Sequence, residues 1–220
     1  MANQPDSPTA RLVLIVPEGV DRESFAPALA DALAGGDVAS LILPQYGMDE
    51  TAFQKLAEAL TPIAQAADVA VIIAGDTRVA GRVGADGLHV DGLTALSEAI
   101  GKYQTRMAVG VGGIKTRDDA LDLGELRPDY VFFGRFGYDN KPVTHSRNLG
   151  LAEWWAQMIQ IPCVLMAGST IESVADAART GAEFVALSQA VFGSSVQPGE
   201  AVAAANRLLK EHAPHFVEPD

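Results

Sequence analysis

Eight short, almost uninterrupted apolar runs recur along this chain, separated by longer segments of helical period, and that alternation leaves few folds open. The runs are Leu12–Val16, Val38–Leu43, Val69–Ala74, Gly87–Val90, Met107–Val111, Tyr130–Gly134, Cys163–Ala167 and Phe184–Ser188. A strand with one wet face alternates apolar and polar residues, whereas a strand covered by helices on both faces does not. Between the runs, segments such as Glu50–Ala66 set Phe53, Leu56, Ala57 and Leu60 at i, i+3, i+4 and i+7, the spacing of one helical face. Eight such units predict an α/β fold, a single (β/α)8 TIM barrel. The competing fold is a doubly wound open sheet, but the first run leads into Pro17-Glu18-Gly19-Val20 and not into a G-x-G-x-x-G turn.

One local signature is used twice, four units apart. In Gly84-Ala85-Asp86-Gly87 and Gly181-Ala182-Glu183-Phe184 a glycine ends a helix, alanine packs, an acid follows and a strand begins. Residues 1–10 read as a disordered lead, 11–213 as the barrel domain and 214–220 as a tail, with no linker to divide the barrel.

The chain has 220 residues, 48% of them hydrophobic, enough for one full core. No stretch reaches the length of a membrane span, and the amino terminus lacks a basic start and an apolar h-region. Cys163, the single cysteine, lies in an apolar run and excludes an intrachain disulfide, so a cytoplasmic protein with a buried structural thiol is expected. A net charge of −12 argues against a nucleic-acid partner. An acidic protein that binds an anion must concentrate its positive charge locally.

In a barrel, function gathers just past the carboxyl ends of the strands. The seventh and eighth runs both finish in small residues before a helix-like segment, at Ala167-Gly168-Ser169 and Ser188-Gln189-Ala190. Small side chains let backbone N–H groups reach an anion, and a helix start adds partial positive charge. Gly168, Ser169, Ser188, Gln189 and Ala190 are therefore expected to form a phosphate cup. Neither serine lies in a G-x-S-x-G elbow, so hydrogen bonding and not nucleophilic attack is their expected work.

The longest connection, Arg135 to Asn148, carries Arg135, Lys141 and Arg147 against one acid, Asp139. Either an anion lid or a solvated loop fits that composition. Asp76 and Asp91 follow neighbouring strands, which suits either Mg²⁺ held against a diphosphate or ordinary helix capping. His89, inside the fourth run, suits a hydrogen-bonded barrel histidine or a general base. Of the adjacent Trp154 and Trp155, one is expected to pack on the barrel and the other to face a subunit partner.

Taken in order, Gly84-Ala85-Asp86-Gly87-Leu88-His89-Val90, Asp129-Tyr130-Val131-Phe132-Phe133-Gly134 and the segments ending at Ser169 and Ala190 resemble the thiamine phosphate synthase/TenI superfamily. The resemblance runs from Leu12 to Ala190. It implies a transferase of thiamin biosynthesis that joins a pyrimidine diphosphate to a thiazole phosphate with release of pyrophosphate. On that pattern Lys141, Arg135 and Asp76 would be catalytic, Asp76 and Asp91 would hold Mg²⁺, and the protein would be a homodimer. The chain also departs from the pattern. The Q-L-R-x-K segment after the second strand falls on Ile42-Leu43-Pro44-Gln45-Tyr46, G-Q-E-D after the fourth reads Asp91-Gly92-Leu93-Thr94, and Arg135 stands where the tautomerase has histidine. Arginine clamps anions but is a poor proton shuttle near neutral pH. The alternatives are a non-catalytic barrel that binds or senses a phosphorylated metabolite, and a TenI-like isomerase with altered chemistry.

Overall fold

A computed structural model describes residues 10–193 and 197–214. The expected lead (apart from Ala10), and the expected tail beyond Pro214, lie outside the described residues. Eight parallel strands close into a barrel in sequence order: β1 (Arg11–Ile15), β2 (Ser40–Pro44), β3 (Ala70–Ala74), β4 (Gly87–Asp91), β5 (Ala108–Gly112), β6 (Tyr130–Phe133), β7 (Cys163–Met166) and β8 (Phe184–Leu187). The last strand pairs back on the first, Leu12 beside Val185 and Leu14 beside Leu187. Helices α1 (Arg22–Ala34), α2 (Glu50–Gln65), α3 (Thr77–Val83), α4 (Leu93–Tyr103), α5 (Arg117–Gly124), α6 (Ser146–Met158) and α7 (Ser173–Arg179) follow the first seven strands in turn. After β8 come a short α8 (Gln189–Phe192) and the closing α9 (Pro198–His212).

The apolar runs are continuous because each strand is buried twice. Leu12, Leu14, Leu41 and Leu43 face the helices, while Val13, Ile15, Ile42, Ile72 and Phe132 fill the barrel. Phe53, Leu56, Ala57 and Leu60 of α2 are all buried, as their spacing predicts. Trp155 is fully buried, and its indole N–H donates to the Ile161 carbonyl at 2.7 Å. Trp154 is half-buried and carries the Arg117 guanidinium over its ring at 4.9 Å. Cys163 is a free, buried thiol, pushed up by its apolar surroundings.

The repeated glycine-acid signature closes the base of the barrel. Gly84 and Gly181 take the left-handed conformation, with φ of 65° and 82°. The acid two residues on then accepts a backbone N–H at the start of the neighbouring strand: Asp86 from Val71 at 2.8 Å, and Glu183 from Cys163 at 2.9 Å. A third copy is present, since Asp129 accepts from Val109 at 2.7 Å. There the left-handed position is held by Arg127, at φ 54°.

Candidate active site

A cavity of about 1120 Å³ opens at the carboxyl ends of β2 to β6. Behind its lining residue His89 stand two glycines of β5. The Tyr130 ring lies against Gly110, where any Cβ would collide with it, and a Cβ on Gly112 would stand 2.8 Å from the His89 Nε2. The missing side chains thus let Tyr130 and His89 lie side by side inside the barrel. His89 Nδ1 is 2.9 Å from the Tyr130 hydroxyl. Burial pushes the imidazole down to about 3 and the Tyr130 phenol up, so near neutral pH both are uncharged. Phe132 and Phe136 meet His89 edge-on at 5.5 and 4.9 Å, completing an aromatic floor.

The rim is basic. Arg135, just past β6, Lys115, past β5, and Arg147, in the first turn of α6, all line the cavity. Arg135 also lies over the Tyr138 ring at 3.9 Å. Opposite stands Asp91, the last residue of β4. Desolvation pushes its carboxyl up, and the Arg135 charge draws it part of the way back. Gly92 then takes φ 81° and starts α4 with no side-chain cap.

The residues expected at the site are distributed as follows. Asp91 and Arg135 line the cavity together. Asp76 caps α3, accepting from the Arg78 N–H at 2.9 Å, and the Arg78 guanidinium binds both its oxygens, at 3.1 and 2.6 Å. That pairing holds the Asp76 carboxyl down at about 2. Lys141 is exposed and outside the cavity lining. Gly168, Ser169, Ser188, Gln189 and Ala190 are brought together at the ends of β7 and β8, also apart from that lining. Arg147 was expected with Arg135 in the basic connection after β6, whereas Lys115 belongs to no motif, and the fold shows that all three share one rim.

A divalent ion would need free oxygen donors that converge. Asp76 is committed to Arg78, Asp91 faces Arg135, and among the described residues no three His, Cys, Asp or Glu side chains form a metal-binding group. The pair does not fit a resident metal.

The comparisons with known proteins agree with one another. The family model described as thiamine monophosphate synthase matches residues 12–191. The thiamine-phosphate synthase of Rhodospirillum centenum is 36% identical over 202 residues, covering 91% of this chain and 98% of that protein. That of Hyphomonas neptunium is 34% identical over 214 residues, 94% of this chain and 96% of its own length. The thiamine phosphate pyrophosphorylase from Pyrococcus furiosus superposes with a TM-score of 0.77 at 18% identity, over 91% of this chain and 96% of that one, a likeness of fold. No helix among the described residues is long and apolar enough to cross a membrane. By a family match across most of its length and by relatives of this identity, the chain belongs to the thiamine monophosphate synthase family.

Proposed function

We propose that this barrel joins a pyrimidine methyl diphosphate to a thiazole phosphate, forming thiamine phosphate and releasing pyrophosphate. The observation that carries the reading is one cavity with an aromatic floor, Phe132, Phe136 and His89, beneath a basic rim, Lys115, Arg135 and Arg147. A flat pyrimidine matches the floor, and a diphosphate matches the rim. The bond from the pyrimidine methylene to the diphosphate oxygen breaks, and the thiazole nitrogen donates its lone pair to that carbon. Negative charge grows on the departing diphosphate, where fixed guanidinium and ammonium groups stabilise it more than they stabilise the ground state. Asp91, the carboxylate that lines this cavity, would offset the cation left on the pyrimidine. The attacking nitrogen carries no proton, so the neutral His89 orients and packs and need not act as a base.

Mg²⁺ enters this reading as the counter-ion of the diphosphate substrate, held by phosphate oxygens and not by a resident protein site. A cytoplasmic homodimer is part of the same reading: the single buried thiol suits a reducing compartment, and the dimer is what the family resemblance implies. The test is pyrophosphate release with both substrates and Mg²⁺. Saturable release that requires both is expected, and none at saturating substrate would overturn the reaction.

A second reading, a barrel that binds a phosphorylated metabolite without turning it over, is favoured by one observation. The backbone N–H groups of Gly168, Ser169 and Gln189 already have partners within the protein. It predicts diphosphate binding with no pyrophosphate released.

A further inference from the structure

In barrels of this kind the ends of the last two strands, with the short helix that follows, form the common seat for a phosphate. Here that seat is filled from within, by the connection between β6 and α6. Asp139 Oδ2 accepts the Gln189 N–H at 2.7 Å. The Lys141 carbonyl accepts the Ser169 N–H at 2.7 Å, and Ser173 Oγ accepts the Gly168 N–H at 3.0 Å. The backbone of residues 141–143 presses so closely on Gly168 that a Cβ there would come within 2.6 Å of the Pro142 oxygen and 2.8 Å of the Lys141 oxygen. Thr170 Oγ1 fastens the segment by donating to the Pro142 carbonyl at 3.1 Å.

Asp139 itself is only 5% exposed. Among the described residues, none of the ion pairs within 4.0 Å includes it. A buried carboxylate held by a backbone N–H at the start of α8 has the chemistry of a bound phosphate oxygen.

We infer that Asp139 is an internal surrogate for a ligand's phosphate: it closes the cup of β7 and β8 in the free protein, and a phosphoester enters only by displacing it. The inference rests on the proposed synthase site, whose acceptor brings such a phosphate. Two anions do not share the Gln189 N–H, and their charges repel at that range. The apparent affinity for phosphate is therefore the intrinsic affinity multiplied by the fraction of molecules that Asp139 has vacated. A charge-assisted hydrogen bond is strong enough to hold that fraction at about one tenth or below. Asp139 thus sets how strongly a phosphoester must bind through its other groups before the cup opens to it.

The experiment is a calorimetric titration of inorganic phosphate into the intact protein and into Asp139→Asn and Asp139→Ala, at one pH and ionic strength. Asn keeps an oxygen for Gln189 and loses the charge, so it decides the matter even if the alanine variant folds poorly. Phosphate is expected to bind the alanine variant about tenfold more tightly than the parent, with the asparagine variant between them. In the parent, saturation should shift the Gln189 amide resonance as its acceptor changes. Equal affinities in the folded forms, or no phosphate binding in any of them, would overturn the inference. Since the readout is binding, loss of synthase turnover would count against the reaction alone and leave this result to stand or fall separately.

Discussion

His89 and Tyr130 show how one residue's chemistry depends on what its neighbours lack. Gly110 and Gly112 leave room for both rings, and the resulting burial lowers the imidazole from its ordinary 6.5 to about 3. The unfolded chain then takes up this proton before the folded one does. The stability from a neutral His89 is complete above pH 6.5 and is lost as pH falls toward 3. Denaturant titrations across that window should show a decline of up to about 1.4 kcal/mol per pH unit that His89→Asn flattens. Parallel profiles for the two proteins would rule the group out. At this scale legibility was uneven. Arg135 could be read from its position directly after a strand, and Asp91 likewise. Asp76 fits metal binding and capping equally well in one dimension, and only the Arg78 side chain folded back over it separates them. Lys115 and Arg147 are 32 residues apart, and no local pattern joins them.

At the scale of elements, all eight strands and the buried face of α2 were legible because burial on two faces leaves a continuous apolar run. The base of the barrel was half legible. Two glycine-acid pairs announce themselves before β4 and β8, whereas the copy before β6 is disguised by Arg127 in the glycine's position. A residue with a Cβ is strained in the left-handed region. Arg127 is exposed, and its contact with Gln104 runs through its carbonyl, so its side chain is dispensable there. Arg127→Gly should therefore raise the unfolding free energy by about 0.5–1 kcal/mol, strain relief outweighing the added freedom of the unfolded chain. A urea midpoint that falls would mean the arginine side chain contributes more than the strain removes. The β6–α6 connection was legible only as a basic loop; that its one acid, Asp139, turns inward follows from tertiary contacts.

The whole molecule carries a charge of −12 yet presents Lys115, Arg135 and Arg147 around one opening. An anion approaching from solvent meets a repulsive field with a local attractive gap, and salt screens both within about 8 Å at physiological ionic strength. Contact with the rim is short-range and survives better than the distant repulsion, but direct ion pairing still dominates binding at a site lined by three cations. Pyrophosphate affinity, followed by calorimetry, should accordingly weaken several-fold between about 0.05 and 0.5 M salt. An affinity that rises with salt would show that the global charge, not the rim, governs binding.

The carboxylates of Asp86, Asp129 and Glu183 hold the base of the barrel, at the end of the strands remote from the cavity. In evolutionary terms, that division of labour uncouples persistence of the scaffold from innovation at the opening. Loops at the mouth are free to drift, acquire new partners or close a former site while the opposite end keeps the architecture intact.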